Sequence, residues 1–285
     1  MTILLKFKGY ILIALVAFLW GSTSVVVSFV LAQGMGLLDV AFIMTSIGAL
    51  TLLLCVGKKG LSTIKLDLIA YGLFVIPVFR ILYTVSVLIN GAGVTASLLY
   101  VAPLIVAILA PIIIGEKLAL MDLFLAILAV IGAYLSSNPS LKLTSVTGFL
   151  VGLSLAVTYA ITIIAIKYFY SKGYSMEEIV VQPTIAAIPI LAALSIATEV
   201  KIIFDVITIM ALLWGGIVSI GLALILYVKG MKLVKALEAS IIATLEPVSA
   251  LFLATLILGE HYEPLQLVGI FLILISALVI ALKGK

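Results

Sequence analysis

The chain has 285 residues, of which 65% are hydrophobic and only 10% are charged, and its mean hydropathy is +1.46. Because soluble domains contain roughly 45–50% apolar residues, this composition excludes a soluble globular protein and indicates an integral membrane protein. The net charge is +4 and there is a single cysteine, Cys55, so an internal disulfide framework is excluded. In a membrane protein, an excess of basic residues is explained first by their concentration in cytoplasmic loops. We therefore expect no nucleic-acid partner from the positive charge.

A helix that crosses a membrane needs about 20 mostly apolar residues. Ten runs of this kind follow one another, separated by charged residues or by glycine, proline and asparagine. The sequence therefore predicts an all-α integral membrane protein with ten transmembrane helices. In chain order the predicted spans cover residues 9–32, 38–57, 66–89, 92–114, 119–137, 147–170, 178–198, 203–228, 236–258 and 264–282.

The basic residues are distributed unevenly between the two sides of these spans. With the N-terminus in the cytoplasm, 13 of the 16 lysines and arginines lie on the cytoplasmic side, Lys142 and Lys201 lie outside, and Arg80 lies within the third span. Cytoplasmic loops carry the excess of Lys and Arg in membrane proteins. We therefore predict a multi-pass protein of the cell membrane, surrounded by lipid, with both termini cytoplasmic.

The chain contains an internal repeat. The segment YVAPLIVAILAPIIIGEKLALMDL at residues 100–123 matches TLEPVSALFLATLILGEHYEPLQL at residues 244–267, an offset of 144 that aligns proline with proline and Gly-Glu with Gly-Glu. Five spans per copy is an odd number, so the second copy must cross the membrane in the opposite direction. The sequence predicts two inverted five-helix repeats, residues 1–138 and 139–285, which enclose a central cavity and work by alternating access.

These segments, with LWGSTSVVV in the first span and ALEASIIATLEPVSALFLATLILGE in the ninth, resemble the EamA-like branch of the drug/metabolite transporter superfamily. The resemblance covers the whole chain. It implies a basket of ten helices whose cavity is lined by spans 1, 3, 4, 6, 8 and 9, with spans 5 and 10 as peripheral scaffold. It leaves the cargo open, because relatives carry amino acids, other metabolites, nucleotide sugars or triose phosphates.

Two charged residues depart from the family pattern and lie deep in predicted spans. Arg80 is about 21 Å from the cytoplasmic start of the third span at ~1.5 Å per residue, and Glu246 is roughly 15 Å into the ninth. An arginine at that depth costs at least ~2.5–3.5 kcal/mol, so it must face the interior. One interpretation is a structural Arg80–Glu246 ion pair. The other places both in the cavity, with Arg80 on a substrate carboxylate and Glu246 on an ammonium or a coupled proton.

Seven further residues are candidates for substrate binding. Tyr83 and Thr84 share the helix face of Arg80. Aromatic and hydroxyl side chains also occupy matching places in the two halves at an offset of 139, and a tryptophan stands beside two glycines in the eighth span. These residues are Trp20, Thr23, Tyr159, Thr162 and Trp214.

Other signals are weaker. Pro103 and Pro247 lie within spans four and nine and are predicted hinges, because proline removes a helical hydrogen bond. Glu116 and Glu260 are expected to be structural helix-end residues. His261 is the only histidine, and a solvated loop explains it better than a metal site. We expect no metal and no cofactor.

The resulting hypothesis is a secondary transporter for a small polar metabolite, an amino acid or a related zwitterion or organic acid, with export as one direction. An exporter of amphipathic drugs or lipid-like compounds is the alternative. A membrane enzyme is disfavoured because the HExxH, GxSxG and Walker motifs are missing from the sequence. A channel is disfavoured by the inverted repeat. Proton coupling and a homodimer are left open.

Overall fold

The computed structural model describes residues 3–136, 145–198, 200–258 and 263–283. All regular structure in these ranges is helical, as the apolar runs predict. The predicted boundary between the halves at residue 138, and the side chains of Glu260 and His261, lie outside the described residues.

Fourteen α-helices are present in the described ranges, and several predicted spans consist of two consecutive helices. In chain order they are α1 Ile3–Trp20, α2 Thr23–Ala32, α3 Leu37–Val56, α4 Leu66–Phe74, α5 Ile76–Leu99, α6 Ala102–Ile113, α7 Leu120–Ser136, α8 Val146–Ser171, α9 Met176–Ala197, α10 Val206–Trp214, α11 Ala223–Met231, α12 Ala236–Ala243, α13 Leu245–Leu258 and α14 Pro264–Lys283. A 3-10 turn, Gly57–Leu61, follows α3, and a π-helical segment, Gly215–Leu222, joins α10 to α11.

Seven helical segments in the described ranges are long and apolar enough to cross a membrane. They are Leu4–Ala32, Leu37–Leu61, Leu66–Leu99, Val146–Ser171, Met176–Ala197, Val206–Met231 and Pro264–Lys283. Two more, α6 and α7, are apolar but shorter. The chain is thus a multi-pass, all-helical membrane protein, and the count of ten spans remains a prediction. The third and fourth predicted spans meet inside α5, where Gly91 has a non-helical backbone with φ of 75°.

The packing of α7 against α14 has a reciprocal arrangement. Asp122 at the start of α7 pairs with Lys283 at the end of α14, at 2.5 Å. Gln266 at the start of α14 donates to the Ser136 carbonyl at the end of α7, at 3.2 Å. The two helices are therefore antiparallel. Asp122 and Gln266 are 144 residues apart, the offset of the sequence repeat.

The helices α3 and α9 also contact each other through polar side chains at both ends of the pair. Near the start of α3, the carboxylate of Asp39 accepts from the Ser195 hydroxyl at the end of α9 and from the Lys201 amide. Near the start of α9, Gln182 donates to the carbonyls of Gly60 and Thr63, beyond the end of α3. These helices are also antiparallel, which is the geometry that inverted repeats require.

Two helix interruptions lie at equivalent positions in the two halves of the chain. The α5–α6 break lies at residues 100–101 and the α12–α13 break at Thr244, 144 residues from Tyr100. Pro103 and Pro247 stand just after these breaks, inside the first turns of α6 and α13. Their missing N–H groups would have bonded to the carbonyls four residues earlier, which belong to the last residues of α5 and α12. Both prolines thus begin new helices rather than bend continuous ones, and their role as hinges remains a prediction.

Candidate functional site: a central aromatic cavity

A cavity lies where these interruptions meet. It offers about 110 Å³ to the centres of water molecules, enough for several waters or a small metabolite. Side chains from both halves of the chain line it. They are Trp20, Thr23, Val27, Ala41, Met44, Ile76, Phe79, Arg80, Tyr83, Thr84, Leu99, Tyr159, Thr162, Ile166, Thr184, Ser219, Ile220, Leu224, Tyr227 and Glu246.

The helices that supply these residues differ in part from the expected set. The predicted spans 1, 3, 4, 6, 8 and 9 all contribute, but so do α3, through Ala41 and Met44, and α9, through Thr184. The set of lining spans implied by the resemblance was therefore incomplete, because spans 2 and 7 also line the cavity. The small residues and unbranched Met44 at these points allow α3 and α9 to approach the cavity closely. Neither α7 nor α14 lines this cavity.

Arg80 projects into the cavity from the second turn of α5. Among the described residues its guanidinium forms no ion pair and donates no hydrogen bond, and its Nε is buried without a partner. The Phe79 ring lies beneath it, with 5.7 Å between the Arg80 Cζ and the ring centroid. A cation over a ring is attracted to it only modestly, by roughly 0.5–2 kcal/mol. The donor capacity of Arg80 therefore remains available for a ligand.

Glu246 lies in the first turn of α13 and is 6% exposed. Its Oε2 accepts a hydrogen bond from the hydroxyl of Tyr100, a fully buried residue in the break between α5 and α6. This bond joins the equivalent helix breaks of the two halves. No cation of the described chain lies within ion-pair distance of Glu246. The structure therefore does not show the Arg80–Glu246 ion pair of the first interpretation, and Glu246 accepts from Tyr100 instead.

Aromatic rings form a continuous layer along the cavity. Trp20 packs against Tyr227 with centroids 4.9 Å apart, and against Tyr159 with centroids 6.4 Å apart. Tyr159 stacks on Phe79 at 5.9 Å, and Phe79 contacts Tyr83 at 6.3 Å. The layer belongs to α1, α5, α8 and α11, so both halves build it. It provides a flat apolar wall beside the Arg80 guanidinium.

Hydroxyl groups are placed next to this layer. The indole nitrogen of Trp20 donates to the Ser219 carbonyl at 2.9 Å, and the Thr23 hydroxyl donates to the Ser219 hydroxyl at 2.9 Å. Ser219 belongs to the π-helical segment, a feature frequent at functional sites. The hydroxyls of Thr84 and Thr162 donate to carbonyls of their own helices. These side chains therefore shape the cavity wall, and their donors are already satisfied.

The structure brings eight of the nine predicted substrate-binding residues into one cavity. Trp214 is the exception: it is 46% exposed, is not part of the cavity lining, and donates from its indole nitrogen to the Ser22 hydroxyl at 2.8 Å. The π-helical segment that begins right after Trp214 changes the rotational register of the helix, and the tryptophan faces outward.

Sequence reasoning missed several cavity residues, namely Phe79, Ser219 and Tyr227, and the Glu246 partner Tyr100. The repeat offset of 139 could have found Ser219, because it stands opposite Arg80 in the second half. The others carried no signal beyond their residue type.

The comparison with known protein families agrees with this architecture. The model of the EamA-like transporter family matches residues 7–138 and again residues 146–282, which together make up nearly the whole chain. The chain belongs to the EamA-like transporter family. It is a membrane transporter of the drug/metabolite transporter type, as the resemblance of its motifs implied.

Individual relatives add little about the cargo of this EamA-like transporter. The chain is 28% identical over 276 residues to an uncharacterized transporter of Archaeoglobus fulgidus, covering 95% of each chain. A crystal structure of a protein with 17% sequence identity superposes with a TM-score of 0.82, covering 97% of this chain and 98% of the other. At that identity the likeness shows the fold alone.

Proposed function

We propose that this EamA-like transporter is a secondary carrier for a small polar metabolite with a carboxylate group, an amino acid or a related zwitterion or organic acid. The single observation that supports this cargo is the unpartnered guanidinium of Arg80 in the cavity. A buried donor without a partner costs about 1–3 kcal/mol, which a ligand able to accept its hydrogen bonds would recover.

A carboxylate fits Arg80 better than other polar groups do. The guanidinium presents donors in a planar fork that matches the two oxygens of a carboxylate. The aromatic layer would contact the apolar part of the cargo. Glu246, just after the α12–α13 break, would accept the ammonium of a zwitterion or a coupled proton at the carboxylate that also accepts from Tyr100. We propose a cell-membrane location with both termini cytoplasmic, transport by alternating access, and export as the first direction to test.

The aromatic layer supports a second candidate, an exporter of amphipathic compounds. Five rings line the cavity, and an amphipathic cation could bind over their faces without using Arg80. The two candidates differ in whether the guanidinium takes part in binding.

A thermal-shift screen separates them. Purified wild-type protein would be heated with a panel of carboxylates, amino acids and hydrophobic cations, and each hit tested for counterflow in proteoliposomes. A ligand at 100 times its Kd stabilises the folded protein by about 2.7 kcal/mol. We expect carboxylates to raise the melting temperature of the wild type and of Lys58→Met, whose lysine is exposed, but not that of Arg80→Met. Stabilisation by hydrophobic cations in all three proteins would support the second candidate and contradict the first.

A further inference from the structure

At one end of the molecule, ion pairs join the two halves of the chain. This lysine-rich end is where the start of α1, the connection after α6, the end of α8 and the connection between α11 and α12 meet. Each of the five ion pairs between described residues joins residues before position 138 to residues after it. The pairs are Lys6–Glu238, Lys65–Glu178, Lys167–Glu116, Lys172–Asp67 and Lys283–Asp122.

Lys167 follows Ile166, a cavity-lining residue, on α8. Its ammonium donates to the Met231 carbonyl at 2.9 Å and to the Val234 carbonyl at 2.5 Å, at and just beyond the end of α11. A cation at this position complements the partial negative charge of a helix C-terminus. Lys167 thereby fixes the end of α11 to α8.

Glu116 fixes the beginning of the next helix. Its two carboxylate oxygens accept from the Ala236 amide at 3.1 and 2.8 Å, so that a negative charge sits at the N-terminus of α12. Its carboxylate also lies 3.8 Å from the Lys167 ammonium. Burial raises the pKa of Glu116 above its ordinary value, while Lys167 and the Ala236 amide act in the opposite direction. Glu116 thus contacts Ala236 and Lys167 in the other half of the chain. The sequence predicted only a structural role at a helix end.

These contacts hold a segment that leads directly to the site. The connection at residues 232–235 is held at both ends, by Lys167 at α11 and by Glu116 at α12, and α12 ends at the break that precedes Glu246. The side chains of Lys167 and Glu116 are 18% and 14% exposed. Water can therefore reach the pair as it separates, and opening does not leave two isolated charges in an apolar interior.

We propose that Glu116 and Lys167 form a clasp that closes the lysine-rich end of the cavity, and that this clasp releases α12 when the cavity opens to that side. The clasp rests on the proposed transport by alternating access, but it does not depend on the cargo or on Arg80. It gives alternating access a specific pair of groups that must part, and it predicts that weakening the pair exposes the cavity at one end only.

Cysteine accessibility tests the clasp without knowledge of the cargo. Thr162→Cys places a thiol of similar size in the cavity, in a background where the native thiol is removed by Cys55→Ser. The protein is reconstituted into vesicles, and its orientation is scored by protease cleavage of an N-terminal tag. A membrane-impermeant thiosulfonate is then applied to each face, and the labelling rate is measured.

Two variants weaken the clasp by different routes. Glu116→Gln removes the charge, and Ala236→Pro removes the N–H that Glu116 binds. Proline fits here, because Ala236 is the first residue of α12 and Lys235 before it is extended, with φ of −70° and ψ of 156°. The matched controls are Glu177→Gln, an acid at the same end with no ion pair to a described residue, and Val206→Pro, at the first position of α10.

We expect labelling from the lysine-rich face to be slow in the parent protein and about tenfold faster in both clasp variants, with the controls unchanged. Equal acceleration from both faces would mean a general loosening of the fold and would overturn the proposal. So would a parent protein that is labelled as fast from the lysine-rich face as from the other, or clasp variants that behave like their controls.

Discussion

Replacing Arg80 by methionine should make the empty transporter more stable. The guanidinium Nε is buried without a partner, and such a donor costs about 1–3 kcal/mol. An arginine in mid-membrane costs about 2.5–3.5 kcal/mol on insertion scales, and water in the cavity reduces that part. Methionine is flexible and fills the space along the Phe79 ring. We therefore expect Arg80→Met to raise the free energy of unfolding of the ligand-free protein by about 1–3 kcal/mol.

The assay is thermal unfolding in detergent, without ligand, of the wild type, Arg80→Met and Lys58→Met. Lys58 is exposed in the 3-10 turn after α3, and removing an exposed charge should change stability by no more than about 0.5 kcal/mol. A melting temperature of Arg80→Met at or below that of the wild type would refute the reasoning. That result would mean that the guanidinium stabilises the ligand-free fold, and that it is not an unpaired donor available to a ligand.

Three further changes test other parts of the structure. Tyr100→Phe removes the hydrogen bond to Glu246 and should cost about 1.5–3 kcal/mol of stability in thermal unfolding. Gly269→Val should cost about 1–3 kcal/mol, because even a Cβ at Gly269 would lie 2.6 Å from the Gly132 carbonyl oxygen and would force α7 and α14 apart. Asp205→Ala removes the carboxylate that accepts from the Ile207 and Thr208 amides at the start of α10. Thr208, through its side chain and its amide, and the Ile207 amide hold the pKa of Asp205 below its ordinary value, so this change should lower the melting temperature above pH 4.

The pH dependence of the last change follows from the direction of its pKa shift. Because the pKa of Asp205 is lowered in the folded protein, its stabilisation is present above the unfolded value of 3.8 and is lost as the pH falls through the folded value. The difference between wild type and Asp205→Ala should therefore shrink below pH 3.8. A difference that grows on acidification would contradict this sign.

Controls for the other two changes come from lipid-facing side chains. Tyr134 on α7 is 55% exposed and Leu278 on α14 is 59% exposed. Tyr134→Phe and Leu278→Val should leave the melting temperature nearly unchanged. If Tyr134→Phe were as damaging as Tyr100→Phe, the hydrogen bond to Glu246 would not be the cause. If Leu278→Val were as damaging as Gly269→Val, close packing of α7 on α14 would not be the cause.

Much of the site was accessible from sequence because charge in an apolar run has few explanations. Arg80 and Glu246 had to face the interior, since lipid would not tolerate them, and the structure places both in one cavity. The repeat offset of 139 likewise paired Trp20 with Tyr159, and the two side chains meet. The partner of each charged group could not be predicted. Nothing in the sequence indicates that Tyr100 donates a hydrogen bond to Glu246, or that the Nε of Arg80 is buried without a partner.

The sequence by itself determined the class of this protein, its apolar helices and its internal repeat, because hydrophobicity over 20 residues and a periodic match are properties of the chain alone. Tertiary structure decided which face of each helix meets the cavity. These helices are apolar nearly all round, so composition does not fix their rotation, and packing against neighbours does. That is why Trp214 faces outward, why α3 and α9 reach the cavity, and why Glu116 contacts α12.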